Sequence, residues 1–159
     1  MKAPRVWGSI LLLMASLGLA ACASMGGDTK TRSDTKTSGP SLYRRLGGRE
    51  GISGVVDQFV VNALADPRIG PAFKSLPAER VGPLKSNIAD FICENSGGPC
   101  AYGGRTMQES HKGLKLTKDD VEACNAALAK ALDQKGVGAS EKNELMALVQ
   151  GLMPTIVNQ

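Results

Sequence analysis

The sequence predicts an all-α domain, and three observations carry that prediction. Apolar residues recur at helical spacing in four separate stretches, and no stretch alternates apolar with polar residues as a half-buried strand does. Residues that start or stop helices fall between those stretches. The first stretch holds Ile52, Val55, Val56, Phe59, Val60, Ala63 and Leu64, and Asp66-Pro67 ends it, because proline disfavours helix in the residue before it. The second, with Leu84, Ile88, Phe91 and Ile92, reads as opening at Gly82-Pro83. The third starts at Thr117-Lys118-Asp119-Asp120, an N-cap followed by acids in the first turn, and continues through Val121, Cys124, Leu128 and Leu132. Gly136-Val137-Gly138 separates it from a last helix, capped at Ser140-Glu141 and carrying Leu145, Leu148, Val149 and Leu152. These last two helices should form an antiparallel hairpin. Between the second and third stretches, Ser96 to Gly113 holds five glycines and a proline and reads as a loop. A large rigid ligand wedged against it would explain how so loose a segment is ordered; a plain surface loop is the alternative.

Upstream of these helices, Lys2 and Arg5 precede an apolar run from Ile10 to Ala21, which ends in Leu19-Ala20-Ala21-Cys22. The run is too short to span a membrane, and residues 1–21 read as an export signal removed on maturation. Leu-Ala-Ala-Cys is similar to a bacterial lipobox, after which Cys22 is lipidated and becomes the first residue. An ordinary secretory signal with an incidental Cys22 is the alternative. Ala23 after the cysteine, rather than aspartate, points by the same resemblance to the periplasmic face of the outer membrane. Residues 22–40 are rich in Gly, Ser, Thr and alternating charge, hold almost no apolar bulk, and read as a disordered tether. Residues 41–159 suffice for one small domain. Of 19 basic residues, Lys2 and Arg5 leave with the signal, so 17 face 15 acidic residues, a net of +2 and no nucleic-acid footprint.

Cys93 and Cys100 bracket Glu94-Asn95-Ser96-Gly97-Gly98-Pro99. An exported domain permits disulfides, and closing a loop of about eight residues is worth roughly 2.5 kcal/mol in the chain-entropy model. The two glycines allow the backbone to reach disulfide geometry. A Cys-x6-Cys metal site competes, but no second pair of soft ligands accompanies it, so the disulfide is favoured. Cys124 is then a core position rather than a reactive thiol.

His111 is the chain's one histidine. A lone histidine is more often a surface or core residue than a ligand; what singles this one out is its setting. It stands in Gly97-Gly98-Pro99, Tyr102-x-Gly104 and Met107-x-x-x-His111-x-Gly113. Ser41-Leu42-Tyr43-x-x-Leu46-Gly47-Gly48, with Ile52 and Val55-Val56, opens the domain. Leu64-Ala65-Asp66-Pro67-x-Ile69-x-Pro71-x-Phe73 follows, and Leu116-Thr117 opens the helix after His111. With these motifs the chain from about Ser41 to Val157 resembles the truncated haemoglobins, in particular their group-one branch.

That resemblance implies a two-over-two helical sandwich around one haem b, with His111 as proximal iron ligand. It places Phe73 on the porphyrin, and Tyr102, Met107, Leu116, Cys124 and Leu128 along the cavity wall. Distal positions fall on Val60, Leu84, Asn87, Ile88, Phe91 and Ile92. By periodicity alone Val60, Leu84, Ile88 and Phe91 are simply core. The chain departs from the family at two of them. The family typically carries a tyrosine at the position of Val60 and often a glutamine at that of Ile88, and both donate hydrogen bonds to bound oxygen. Each such bond is worth about 1 kcal/mol or more, so their loss shifts ligand balance from oxygen toward carbon monoxide and nitric oxide. Lys85 and Asn87 are the polar side chains nearest this face, and both are expected to point to solvent.

The function implied is a haem-based binder of diatomic gases, tethered by lipid to a bacterial envelope, with an unidentified electron donor and no nucleic-acid partner. A nitric oxide dioxygenase is the enzymatic alternative; it needs long-lived oxygen, which the missing donors disfavour. A structural lipoprotein that kept the fold without haem is the third reading, and the joint presence of Phe73, Tyr102, Met107 and His111 argues against it.

Overall fold

The computed structural model describes residues 39–159. The export signal, Cys22 and all but the end of the tether lie outside the described residues. Among the described residues the chain is helical throughout, with no strand. The helices are α1 (Leu42–Arg45), α2 (Gly48–Ala65), α3 (Gly70–Lys74), α4 (Ala78–Asn95), α5 (Met107–His111), α6 (Lys118–Gln134), α7 (Ala139–Gln150) and α8 (Met153–Ile156). The all-α expectation is met, and the long helices pack two over two: α2 with α4 and α6 with α7, α2 also lying against α6.

The core explains this packing. Ile52, Val56, Cys93 and Leu132, from α2, α4 and α6, are almost wholly buried. Around them lie Val55, Val60, Ala89, Ile92, Ala127, Leu128 and Leu145. Burying side chains of this size stabilises by roughly 1.5–3 kcal/mol each. One polar tie crosses the core. The amide of Asn62 on α2 donates to the Ala127 carbonyl at 3.1 Å and to Gln134 Oε1 at 2.9 Å, and its oxygen accepts from Gln58 at 3.3 Å. A buried amide so satisfied fixes the register of α2 on α6 without a desolvation penalty.

Several boundaries differ from the sequence reading, each for a physical reason. Helix α4 starts at Ala78, a turn ahead of Gly82-Pro83, with Pro83 inside it. Proline lacks one N–H, but the carbonyl it deprives belongs to exposed Glu79, which water can satisfy. The cap of α7 is Gly138 rather than Ser140, and Glu141 folds back over this end, accepting from its own backbone N–H and from Arg45 at 2.9 Å. Leu148 is 41% exposed instead of buried, and Leu152 lies beyond α7, capping α8. Helix α2 stops at Ala65 with extended Asp66, as Asp66-Pro67 dictates. Thr117 caps α6 reciprocally with Asp120: the Asp120 N–H donates to Thr117 Oγ1, and Asp120 accepts from the Thr117 N–H at 2.9 Å.

Candidate functional site

The segment read as a loop contains a helix. Thr106 caps α5, its hydroxyl accepting from the Glu109 N–H at 3.2 Å while Glu109 accepts from the Thr106 N–H at 3.0 Å. The Thr106-x-x-Glu109 signature announces this box, and the sequence reading passed over it. The Thr106 hydroxyl first, then its backbone N–H, holds the Glu109 carboxyl below the usual range.

This short helix orients His111. Its Nδ1 lies 2.6 Å from the Met107 carbonyl oxygen. A carbonyl only accepts, so Nδ1 carries the hydrogen and the Nε2 lone pair of the neutral ring is free to bind a metal. The contact is a consequence of helical spacing, since the carbonyl of residue 107 lies one turn before His111 on the same face. The chain then leaves through Gly113 at φ +82°, a conformation that side chains resist.

The neighbouring motif residues are equally specific. The Tyr102 hydroxyl donates to the Arg105 carbonyl at 2.8 Å, and a Cβ on Gly104 would overlap the Tyr102 ring. That ring meets Phe91 of α4 edge-on at 5.3 Å, joining α4 to the segment that leads into α5. Phe73 of α3 meets Phe59 of α2 edge-on at 6.0 Å. A disulfide joins Cys93 to Cys100, with Cα atoms 5.8 Å apart, and ties the end of α4 to the segment leading to Tyr102.

The expected site residues fall into three sets. Leu84, Ile88, Phe91, Phe73, Tyr102, Met107, His111, Leu116 and Cys124 are all half-buried. Val60, Ile92 and Leu128 are buried within the helical core. Asn87 is exposed. Lys85 departs from expectation: its ammonium pairs with Asp57 on α2 at 3.0 Å instead of standing free in solvent. Burial first, then the charges of Asp120 and Asp66, pushes the Cys124 thiol up to about 11, so it stays protonated as an apolar wall. Phe59 was not singled out from sequence, since a core phenylalanine in an apolar stripe carries no distinguishing signal.

Among the described residues, no cluster of three or more His, Cys, Asp or Glu could hold a bare metal ion. A metal on His111 Nε2 would therefore bring its other ligands with it, as iron in a porphyrin does. A half-buried rim of flat and branched apolar side chains with one imidazole donor fits that group.

The chain matches the bacterial-like globin family over residues 41–158. The chain belongs to the truncated globin family. Its truncated-globin relatives include the group 1 truncated hemoglobin GlbN of Mycolicibacterium paratuberculosis, 31% identical over 76% of this chain and 87% of that protein. The group 1 truncated hemoglobin of Tetrahymena thermophila is 33% identical over 62% of this chain and 78% of its own. Two solved truncated globins superpose on 76% of this chain and 100% of their own. They are the Tetrahymena pyriformis protein in its Fe(III) form (TM-score 0.70, 28% identity) and the cyanomet 2/2 hemoglobin of Synechococcus sp. PCC 7002 with covalently attached heme (TM-score 0.68, 25% identity). Within this truncated globin, His111 and its helix α5 lie inside the matched residues 41–158.

Proposed function

We propose that this truncated globin holds one haem b through His111 Nε2 and binds diatomic gases, favouring carbon monoxide and nitric oxide over lasting oxygen binding. The observation that carries the reading is the 2.6 Å contact of Nδ1 with the Met107 carbonyl, which leaves Nε2 as the free donor. When bound, haem supplies an iron with an open position for a gas; the chain's residues decide how long the gas stays. On the distal side, Val60, Leu84, Ile88 and Phe91 carry no hydrogen-bond donor. Of the polar side chains on the same helices, Gln58 and Asn62 are engaged with one another and with α6, Lys85 pairs with Asp57, and Asn87 is exposed. No donor is thus supplied to an oxygen molecule, whose outer atom gains most from one.

The proposal includes attachment to the bacterial envelope through lipid on Cys22, by the Leu-Ala-Ala-Cys signature. Cys22→Ser should release the protein from the membrane fraction, and a wild-type chain that is fully soluble and starts elsewhere refutes the anchor.

Absorption spectra of the haem-loaded protein, oxidised, reduced, and reduced under carbon monoxide or oxygen, test the gas-binding reading. The expected result is tight haem uptake, ready carbon monoxide binding and a weak or short-lived oxygen complex. Failure to take up stoichiometric haem overturns it.

A further inference from the structure

We propose that the Asn158-Gln159 segment positions the iron-ligating histidine by clasping the loop that leaves α5. The inference rests on the reading of His111 as proximal ligand. Helix α5 has five residues and none is buried. So short a helix is not maintained by its own hydrogen bonds, because nucleation is costly and propagation brief. The Thr106–Glu109 box secures its start. Its end closes in one exposed turn, the Leu114 N–H donating to the His111 carbonyl at 3.1 Å across Lys112 at ψ 128° and Gly113 at φ +82°.

What holds that turn in place comes from far along the chain. The N–H groups of Gly113 and Lys115 both donate to the main-chain oxygen of Gln159, at 3.0 and 3.3 Å. The Asn158 N–H donates to the Leu116 carbonyl at 2.9 Å. The Gln108 side-chain amide, within α5 itself, donates to Gln159 Oε1 at 3.0 Å. Helix α8 packs on α5, delivering this segment to the loop. Two non-glycine residues adopt positive φ where the strands meet, Lys115 at +50° and Asn158 at +59°. Residues with a Cβ resist that conformation, and it persists where surrounding bonds over-determine it.

The consequence reaches the ligand through one bond. The Met107 carbonyl that orients the ring belongs to the single turn of α5. If the turn frays, that contact loosens, and both the tilt and the basicity of Nε2 change. Gln159 is therefore a positioning residue acting through α5.

The test compares the full-length chain with three variants: removal of residues 158–159, the double substitution Gln108→Ala/Gln159→Ala, and Lys115→Gly. Amide exchange over residues 107–116 is read in the haem-free protein. The iron–histidine stretching band and the rate of haem transfer to apomyoglobin are read in the loaded one. Removing the segment should raise exchange and haem loss at least roughly tenfold and shift or broaden the band, as loss of its four hydrogen bonds to α5 and the loop implies. The double substitution should move each readout the same way by about two- to fivefold, having lost the Gln108–Gln159 bond and the Gln159 amide's bond to the Val157 carbonyl. Lys115→Gly, which relieves the positive φ and keeps every bond, should leave the band in place. An unchanged band and unchanged exchange after removal, in a protein whose haem is ligated by His111, overturn the proposal and spare the globin reading. A wild-type chain that takes up no haem overturns the globin reading instead. Should the shortened chain not fold, the double substitution decides, and an unmoved band there overturns the proposal.

Discussion

On the side proposed as distal, α2 and α4 run 18 residues each and set Ile52, Val56, Val60, Ala89 and Ile92 into the core. On the side proposed as proximal, α5 runs five residues, buries none, and is held by a capping box, a carbonyl contact and two distant residues. The distal wall is therefore part of what keeps the protein folded, while the proximal wall is local polar carpentry added to it. It follows that distal substitutions should perturb gas chemistry and stability together. Proximal ones should change ligation and leave the core intact.

The sharpest break of this contrast is His111→Ala. It should abolish normal haem retention, because no other histidine can substitute, yet leave haem-free stability within about 0.5 kcal/mol, as for other half-exposed sites. Haem titration followed by urea unfolding of the haem-free protein measures both. An accompanying collapse of the core would show that α5 carries more of the fold than its exposure implies.

Next in size is the disulfide, which joins the two regions. Cys93 is wholly buried in the core, whereas Cys100 is half-buried near the Arg49 guanidinium, with Nη1 to Sγ at 3.5 Å. Reduction should lower stability to urea by about 2.5 kcal/mol through loop-closure entropy. Non-reducing mass analysis should find Cys124 as the free thiol among the described cysteines. A Cys124-linked product rejects the pairing.

Val60→Tyr tests the distal half of the comparison. A restored donor worth about 1–1.5 kcal/mol should slow oxygen dissociation roughly five- to tenfold. Placing a ring in a site only 4% exposed should cost about 1–3 kcal/mol of stability. A wild-type oxygen complex that already dissociates as slowly as the variant's would show that Asn87 or Lys85 reaches the gas after all.

The smallest effect is at Thr106. Thr106→Ala should cost about 1 kcal/mol locally, seen as faster amide exchange in α5 with an unmoved urea midpoint. Its partner Glu109 makes this pH-dependent. The folded state holds that carboxyl below its ordinary 4.5. Its contribution is thus complete above that value and disappears as pH falls through the lower, folded value. Wild-type α5 should loosen on acidification below about pH 4.5, and the Thr106→Ala variant should respond less. Equal responses in both would place the acid sensitivity elsewhere.

Much of this was legible in the residues themselves. The apolar stripes of α2 and α6, the stop at Asp66-Pro67, the Thr117 cap and the motif around His111 are all local signals, in which a residue's type and spacing state its role. The Thr106-x-x-Glu109 box was equally local, but the five glycines around it masked a helix of barely more than one turn. Local chemistry of this kind determines that the chain is helical, that it belongs with the truncated globins, and that one imidazole is the residue on which the proposed iron ligation rests.

What only the tertiary structure decided are relations between residues far apart in the chain. Helix α4 continues back through Pro83 because an exposed carbonyl can take water in place of the missing N–H. Lys85 turns to Asp57 because α2 happens to present a carboxylate within 3.0 Å. Leu148 is 41% exposed because, among the described residues, packing covers only Leu145 and Met146 on this part of α7. Gln159 meets Gly113 and Lys115 because α8 returns the chain to α5. None of these is coded by periodicity, since each depends on where another element has come to rest; propensity acts over a few neighbouring residues, and packing acts over the whole domain.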